Sequence, residues 1–417
     1  MAKRLKIDAE KRKIIFTFEG KKLTAYDGET VAEALIANGI WLFSLSDKHI
    51  RPRGYFCGNG TCGQCKMNID GNENALACRT FVREGMKVKR NIPKIKLNYL
   101  KNISFIKNLP YLLYFLKNKI FRYSKLNFNL ANEEYSVDIL VIGNGDAGNA
   151  ALENILKNDG NVLMITEDNI DDYADSPKII KNARIISIDG LTAYAVSRDR
   201  ILKIRAKKII IATGSMNFGK IFENNDLPGI MLFSGLKTLL LKKILPGKSV
   251  VIYGSSGEEE NIADFIESKG IKVNGIVSEI PRKSRYNYFY YYKIDRAYGF
   301  SKLKGILIKK GKLLKKLKCD ILVFSDKTKN INLLLNMNLK LNYLKDKKSF
   351  FPERDKNLLV AKNIYYASGF SEKESKYEGE RAALHALGLT KKRNEKIIGL
   401  VGGENNESIV QINGCYR

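Results

Sequence analysis

One stretch constrains this chain more than any other: "FCGNGTCGQC", residues 56–65, sets three cysteines and three glycines in ten positions. With Cys78 the spacing reads Cys57-x4-Cys62-x2-Cys65-x12-Cys78. An x4 then x2 grouping matches plant-type [2Fe–2S] ligation. Gly58, Gly60 and Gly63 let the backbone fold around such a cluster and turn N–H groups toward its sulfurs. Those donors stabilise the negative charge added on reduction. Two rivals stay open on spacing alone. A structural zinc site would take the same four cysteines, although zinc ligands usually come as two short knuckles. A redox-active thiol loop is the other. Cys319 and Cys415 stand isolated, and clustering of the other four fits metal binding in a reducing compartment better than disulfides.

At 417 residues the chain is long enough for two or three domains. The start, "MAKRLKIDAEKRKIIF", has no apolar run behind its basic residues. The longest apolar patch, "LPYLLYFL" at 109–116, falls far short of a spanning helix. A cytoplasmic protein without a transmembrane segment is therefore expected, with peripheral contact at the cytoplasmic membrane left open. The net charge of +28 favours an acidic partner or an anionic surface. Lysines are spread along the chain and no nucleic-acid-binding signature is present, so nucleic acid is not an expected partner.

Residues 14–25, "IIFTFEGKKLTA", alternate around a Glu-Gly turn and predict a hairpin, and "TVAEALIANGI" predicts a helix stopping at Gly39. With the cysteine loop and the strand "CKMNIDG" they make a small module over residues 1–95. A basic, aromatic connector at 96–134 follows, and from there strands and helices alternate as in a parallel α/β sheet. "VDILVIGNGDAGNAALENIL" is a strand, a glycine turn and a helix, with Gly143, Gly145 and Gly148 at dinucleotide-binding spacing. Glu167 stands about where an acid would grip a ribose hydroxyl, with Thr166 as its competitor. This first domain is expected over 135–246 and to be completed by 329–417, with "CDILVFS" and "NIYYASGF" both returning to its sheet. A second strand, turn and helix unit is expected as an insertion over 247–328. Its turn, Gly254-Ser-Ser-Gly257, runs into Glu258, Glu259 and Glu260, which suit a helix N-terminus but repel a phosphate. Productive NAD(P)H binding is not expected there. Neither His49 nor His385 belongs to a nucleophile and base pair, so no catalytic residue is assigned.

Taken in order, "FTFEGKKLTAYDGETVAEALIANGI", "RPRGYFCGNGTCGQCKMNIDG", "ALACRTFVREGMKV", "IIIATGS", "NDLPGIMLFSGLKTLLL" and "LPGKSVVIYG" resemble the α subunits of heterotetrameric sarcosine oxidase. They are equally similar to the related subunits of dye-linked proline, octopine or nopaline dehydrogenases and hydrogen cyanide synthase. The resemblance implies an α/β chain with a small α+β part: a plant-type ferredoxin-like β-grasp domain followed by two nested Rossmann-like FAD/NAD-binding domains. It implies cluster ligation by Cys57, Cys62, Cys65 and Cys78, and nucleotide contacts at Gly143, Gly145, Gly148, Glu167, Thr213 and Gly214. It also implies a flavin-containing β-type partner subunit, an FMN at the interface with that partner in some members, and a downstream acceptor such as a quinone or ferredoxin. Two departures weigh on the flavin. Only about forty residues separate "MITED" from "IIIATGS", fewer than a full flavin-binding domain would use. Gly369 is followed by Phe370 where a flavoprotein usually has Gly-Asp, which argues for NAD or another adenine nucleotide held structurally, or for nothing bound, rather than FAD. The expectation is an electron-transfer subunit of a flavin-dependent amine or amino-acid dehydrogenase or oxidase. A self-sufficient NAD(P)H-dependent reductase and a scaffold with a structural cluster are the alternatives.

Overall fold

The computed structural model describes residues 2–5, 11–46, 51–91, 131–167, 178–197, 200–345 and 349–389. The expected connector lies outside them up to residue 130, as do His49 and Cys415. The chain divides into two compact units. One joins the N-terminal segment to Asn217–Lys327, and the other joins the segment ending at Met216 to the one beginning at Thr328.

Alternating apolar residues in β1 (Lys13–Phe18) and β2 (Lys21–Tyr26) pair antiparallel across the Glu19-Gly20 turn. Both turn residues have positive φ, so the strands reverse without splaying. Helix α1 (Val31–Ala37) is started by a capping box: Thr30 accepts from Glu33 N, and Glu33 takes the Thr30 N–H in return. All of α1 is buried, and burial raises the Glu33 carboxyl above its ordinary range. Strands β3 (Lys66–Ile69), β4 (Asn72–Leu76) and β5 (Lys87–Arg90) complete a five-stranded sheet in the order β2-β1-β5-β3-β4. One helix beneath a sheet whose β1 and β5 run parallel is the expected β-grasp.

The next sheet takes β6 (Ala131–Ile142), followed by α2 (Asp146–Lys157), then β7 (Val162–Ile165), β8 (Ile179–Ile180), β9 (Arg184–Asp189), β10 (Thr192–Val196) and β11 (Arg200–Ile211). Its order is β8-β7-β6-β11-β10-β9, parallel from β8 to β11 and antiparallel beyond. The apolar runs "ILVI" at 139–142 and "III" at 209–211 are buried on both faces: Ile139, Val141 and Ile210 pack with α2, and Leu140, Ile142, Ile209 and Ile211 face the core on the other side.

A second parallel sheet follows. It is built from β12 (Ile230–Leu232), β13 (Ser249–Tyr253), β14 (Lys272–Ser278) and β15 (Tyr288–Tyr290), with helices α3 (Phe233–Leu241) and α4 (Glu259–Ser268) between strands. An antiparallel excursion, β16 (Lys293–Gly299), β17 (Leu303–Lys310) and β18 (Leu313–Lys318), leads to β19 (Ile321–Phe324). The order β12-β19-β13-β14-β15 corrects the expectation for "CDILVFS": β19 is the inner strand between β12 and β13, not a return to the first sheet. A short run buried on both faces fits the middle of any parallel sheet, so its residue types could not name the sheet. This sheet also takes in Ile230–Leu232, ahead of the expected start at 247. "NIYYASGF" does return: β20 (Ile364–Tyr366) lies parallel beside β11 and leads into α5 (Glu372–Leu387).

The β-grasp module and the second sheet share one apolar core. Trp41, Phe43 and α1 side chains sit in it with Leu236, Leu239 and Leu240 of α3. Burying each such leucine contributes roughly 1.5–3 kcal/mol, so these two parts stabilise each other directly.

Candidate functional site: a cysteine loop and two glycine turns

Three of the loop thiols are buried, Cys57, Cys65 and Cys78, while Cys62 is half-buried. Cys65 Sγ and Cys78 Sγ are 3.2 Å apart, and Cys57 is hydrogen-bonded to both Cys62 and Cys78. Cys57 is pulled well below an ordinary thiol, chiefly by its bond from Cys62, and Cys65 is lowered by its bond from Cys78. Cys62 and Cys78 are pushed up correspondingly, since each holds the shared proton. The four thus form one hydrogen-bonded cluster, in which Cys57 meets Cys62 and Cys78, and Cys78 also meets Cys65. Backbone amides add to this: the N–H groups of Asn59 and Cys62 bond Cys57, and Gln64 N lies 3.4 Å from Cys62 Sγ. A soft, partly anionic, amide-solvated donor set of this kind fits iron held by thiolates. Among the described residues no group of His, Cys, Asp or Glu converges on a single-ion position. Cys319 lies elsewhere, and burial pushes its thiol up to about 12.

The loop is wedged against α3. Leu232 N donates to Phe56 O at 3.0 Å, Ser234 Oγ to Cys57 O at 3.0 Å, and Tyr55 Oη to Gly235 O at 3.2 Å. Two glycines make the approach possible. A Cβ on Gly58 would lie 2.6 Å from Tyr55 Oη and 2.9 Å from Gly235 Cα, and one on Gly235 would lie 2.6 Å from Phe56 O. Arg51 adds a two-pronged bond to Asp226, at 2.7 and 2.9 Å. The sequence reading missed Tyr55, Ser234 and Gly235. The "SG" after "IMLF" was the available signal.

The first glycine turn is open. Gly143 sits at φ +101 with its missing Cβ 2.4 Å from Ala212 O, and Gly148 fits only because its own missing Cβ would stand 1.9 Å from Gly143 O. These contacts seat the N-terminus of α2 directly on the ends of β6 and β11. Gly145, the N-cap of α2, has no side-chain cap and no atom within 4 Å of its Cβ direction. Asn149 Oδ1, in the first turn of the same helix, is buried without a hydrogen-bond partner. Thr213 and Gly214 flank the turn, Thr213 donating to Asn330 O at 3.0 Å. The structure separates Thr166 from Glu167. Thr166 is buried and bonds Asn144 of the turn at 2.6 Å, whereas the Glu167 carboxylate is taken by the Arg184 guanidinium at 2.7 and 2.9 Å. Phe370 stacks on Phe351, with the buried Lys329 ammonium 4.4 Å above its ring and bonded to Gly369 O. The Glu374 carboxylate accepts from Phe370 N at 2.7 Å and Ser371 N at 3.2 Å, so it caps α5.

The second turn is filled. Glu258 is the N-cap of α4, and Glu259 turns inward, only 1% exposed. Its Oε1 accepts from Ser256 N and Oγ, both at 2.7 Å, and from Ser325 Oγ at 3.2 Å, while Oε2 accepts from Gly257 N at 3.0 Å. Amides that would cradle a phosphate are spent on this carboxylate. Glu260 accepts from Arg285 N. The carboxylates thus stand where the sequence reading put them, and one of them occupies the turn.

A thiol-rich β-grasp module joined to two dinucleotide-type sheets defines a class, the iron–sulfur oxidoreductase subunits. Residues 11–93 match the family described as a 2Fe-2S iron-sulfur cluster binding domain. The chain is 24% identical over 310 residues to sarcosine oxidase subunit alpha of Corynebacterium sp. (strain P-1), covering 62% of this chain and 30% of that one. It is 37% identical over 73 residues to hydrogen cyanide synthase subunit HcnA of Pseudomonas protegens, covering 18% of this chain and 69% of that one. Its fold resembles L-proline dehydrogenase from P. horikoshii, with a TM-score of 0.69 at 22% identity over 92% of this chain and 75% of that one. The chain belongs to the family of hydrogen cyanide synthase subunit HcnA and sarcosine oxidase α subunits that carries an N-terminal [2Fe–2S] ferredoxin-like domain. It spans less than a third of the length of that sarcosine oxidase subunit. No helix among the described residues is long and apolar enough to cross a membrane.

Proposed function

We propose that this chain is the electron-transfer subunit of a heteromeric flavin-dependent amine or amino-acid dehydrogenase or oxidase. Its partner would be a flavin-bearing subunit that oxidises the substrate C–N bond. The observation that carries this reading is the cysteine loop, with four clustered thiols and hydrogen bonds that lock it onto α3. Cys57 with Cys62, and Cys65 with Cys78, would each hold one iron. When bound, a [2Fe–2S] cluster takes up and gives away single electrons, which lets a two-electron donor serve a one-electron acceptor. The amides of Asn59, Cys62 and Gln64 compensate negative charge at the sulfurs, and burial of Cys57, Cys65 and Cys78 excludes water. Fixing the loop on α3 limits the reorganisation that accompanies a change of charge. The first glycine turn would hold an adenine nucleotide through Gly143, Gly145 and Gly148, backed by Thr213 and Gly214. The Arg184-bound Glu167 remains the candidate for the ribose, and Phe370 favours NAD or ATP over FAD.

A self-sufficient NAD(P)H-dependent reductase is disfavoured by Glu259, which fills the turn such a reductase would need. The test is paramagnetic resonance of the anaerobically purified, dithionite-reduced chain, with metal analysis alongside. A [2Fe–2S] signal that Cys62→Ser abolishes, together with lost turnover in the assembled complex, is the expected result. Zinc in place of iron would overturn it. A Cys62→Ser complex that assembles and turns over normally would leave the cluster a structural role.

A further inference from the structure

The antiparallel excursion β16–β18 protrudes from the second sheet, and its free end differs from the rest of the surface. One face is anchored: Ala297, Ile306, Ile308 and Leu317 are buried in the core beneath it. Beyond the turn at Gly311 the strand leaves that support, and Leu313, Leu314, Lys315 and Lys316 are all exposed, the two leucines by 64% and 60%. Successive side chains on a strand point to opposite faces. Each face of the hairpin end therefore presents an exposed leucine, with Lys315 set back over the Phe289 ring and Lys316 over the Tyr298 ring.

Charge along the excursion is one-sided. Residues 293–318 hold ten Lys and Arg side chains against one acid, Asp295, which is bonded to the adjacent Arg296. Aromatic rings lie behind the tip, with Lys310 Nζ 4.9 Å from the Tyr290 ring and 5.2 Å from the Tyr291 ring. Those two tyrosines are themselves about half exposed. Exposed leucines at the tip, lysines on both sides of them and tyrosines one layer back are arranged as in segments that enter a lipid interface.

We propose that the Lys309–Lys316 hairpin docks this chain on a membrane surface bearing anionic headgroups. An acidic protein would satisfy the lysines, but a protein face laid against a hairpin covers one side and leaves the opposite leucine in water. A lipid interface surrounds both sides. Leu313 and Leu314 enter the acyl boundary while Lys309, Lys312 and Lys316 reach back to the headgroups. The inference rests on the electron-transfer reading only in giving it a direction, since a surface-bound subunit stands beside lipid-soluble acceptors such as quinones.

The experiment is co-sedimentation of the full chain with vesicles of phosphatidylcholine alone and with about a third phosphatidylglycerol, at low and physiological salt. Wild type should sediment with the anionic vesicles and not with the zwitterionic ones. The double variant Leu313→Asp/Leu314→Asp should bind at least about tenfold more weakly while keeping its cluster signal. Undiminished binding of that variant would overturn the hairpin as the docking element. Absence of binding to anionic vesicles, or capture only by an acidic protein partner, would overturn the lipid surface. Each of these outcomes leaves the cluster signal and complex turnover intact, so failure here is distinct from failure of the electron-transfer reading.

Discussion

The two glycine turns were built from one plan and have been used in opposite ways. At Gly143 the turn closes on backbone, because Gly148 meets Gly143 O and Gly143 meets Ala212 O, and the helix entrance at Gly145 is left clear. At Gly254 the turn closes on side chains: Ser325 fills the space beside Gly254, and the Glu259 carboxylate takes the free amides. The first arrangement leaves donors for an outside anion, and the second supplies its own anion. A Rossmann-type sheet can therefore be retained for its fold after its ligand chemistry has been replaced from within.

Gly148→Val should produce the largest effect on this contrast. A Cβ there meets a backbone oxygen that cannot yield, so a stability loss of about 3 kcal/mol or more is expected, with loss of released nucleotide. Urea unfolding and mass spectrometry of the denatured protein check it, and a stable, loaded variant would break the account of the first turn. Glu259→Ala comes next. It strands the amides of Ser256 and Gly257 and should cost about 1–3 kcal/mol. The companion measurement is NADH titration of the wild type, expected to show no site beyond that of the first turn; a second saturable site would show that the turn at Gly254 can be emptied. Gly145→Ala is the smallest change in stability, within about 0.5 kcal/mol, because nothing lies near the new methyl. Its nucleotide affinity should still fall about tenfold or more, since backbone approach to the pyrophosphate is what that glycine permits. Unchanged affinity would move the ligand away from the turn.

The parts of the fold governed by local rules were readable before any coordinates. The β1–β2 hairpin, α1 with its stop before Gly39, and the strand, turn and helix around Gly143 follow from alternation, capping and glycine spacing. What escaped was tertiary assignment. "CDILVFS" and "NIYYASGF" are both short buried strands, yet one pairs with β13 and the other with β11. Burial on both faces erases the periodicity that would tell them apart. At the sites, the three glutamates after Gly257 signalled an unsuitable phosphate position, but only the fold shows that Glu259 alone turns inward. Glu167 and Thr166 are neighbours with different tasks for a similar reason: one faces the buried turn and the other meets Arg184 across the strand end. The contacts of Tyr55 with Gly235 and Ser234 with Cys57 join positions nearly 180 residues apart, beyond any local pattern.

That long-range seam has a consequence for how the protein comes into being. The cysteine loop is translated early, but the helix that braces it and the leucines that complete its core arrive with α3, and the strand that anchors α3's sheet arrives only at β19. A ribosome-bound chain that has emerged only as far as Cys78 carries all four thiols on a scaffold missing its other half. A fragment ending near residue 95 contains every ligand, yet it leaves Tyr55 Oη and Cys57 O without the partners that α3 supplies.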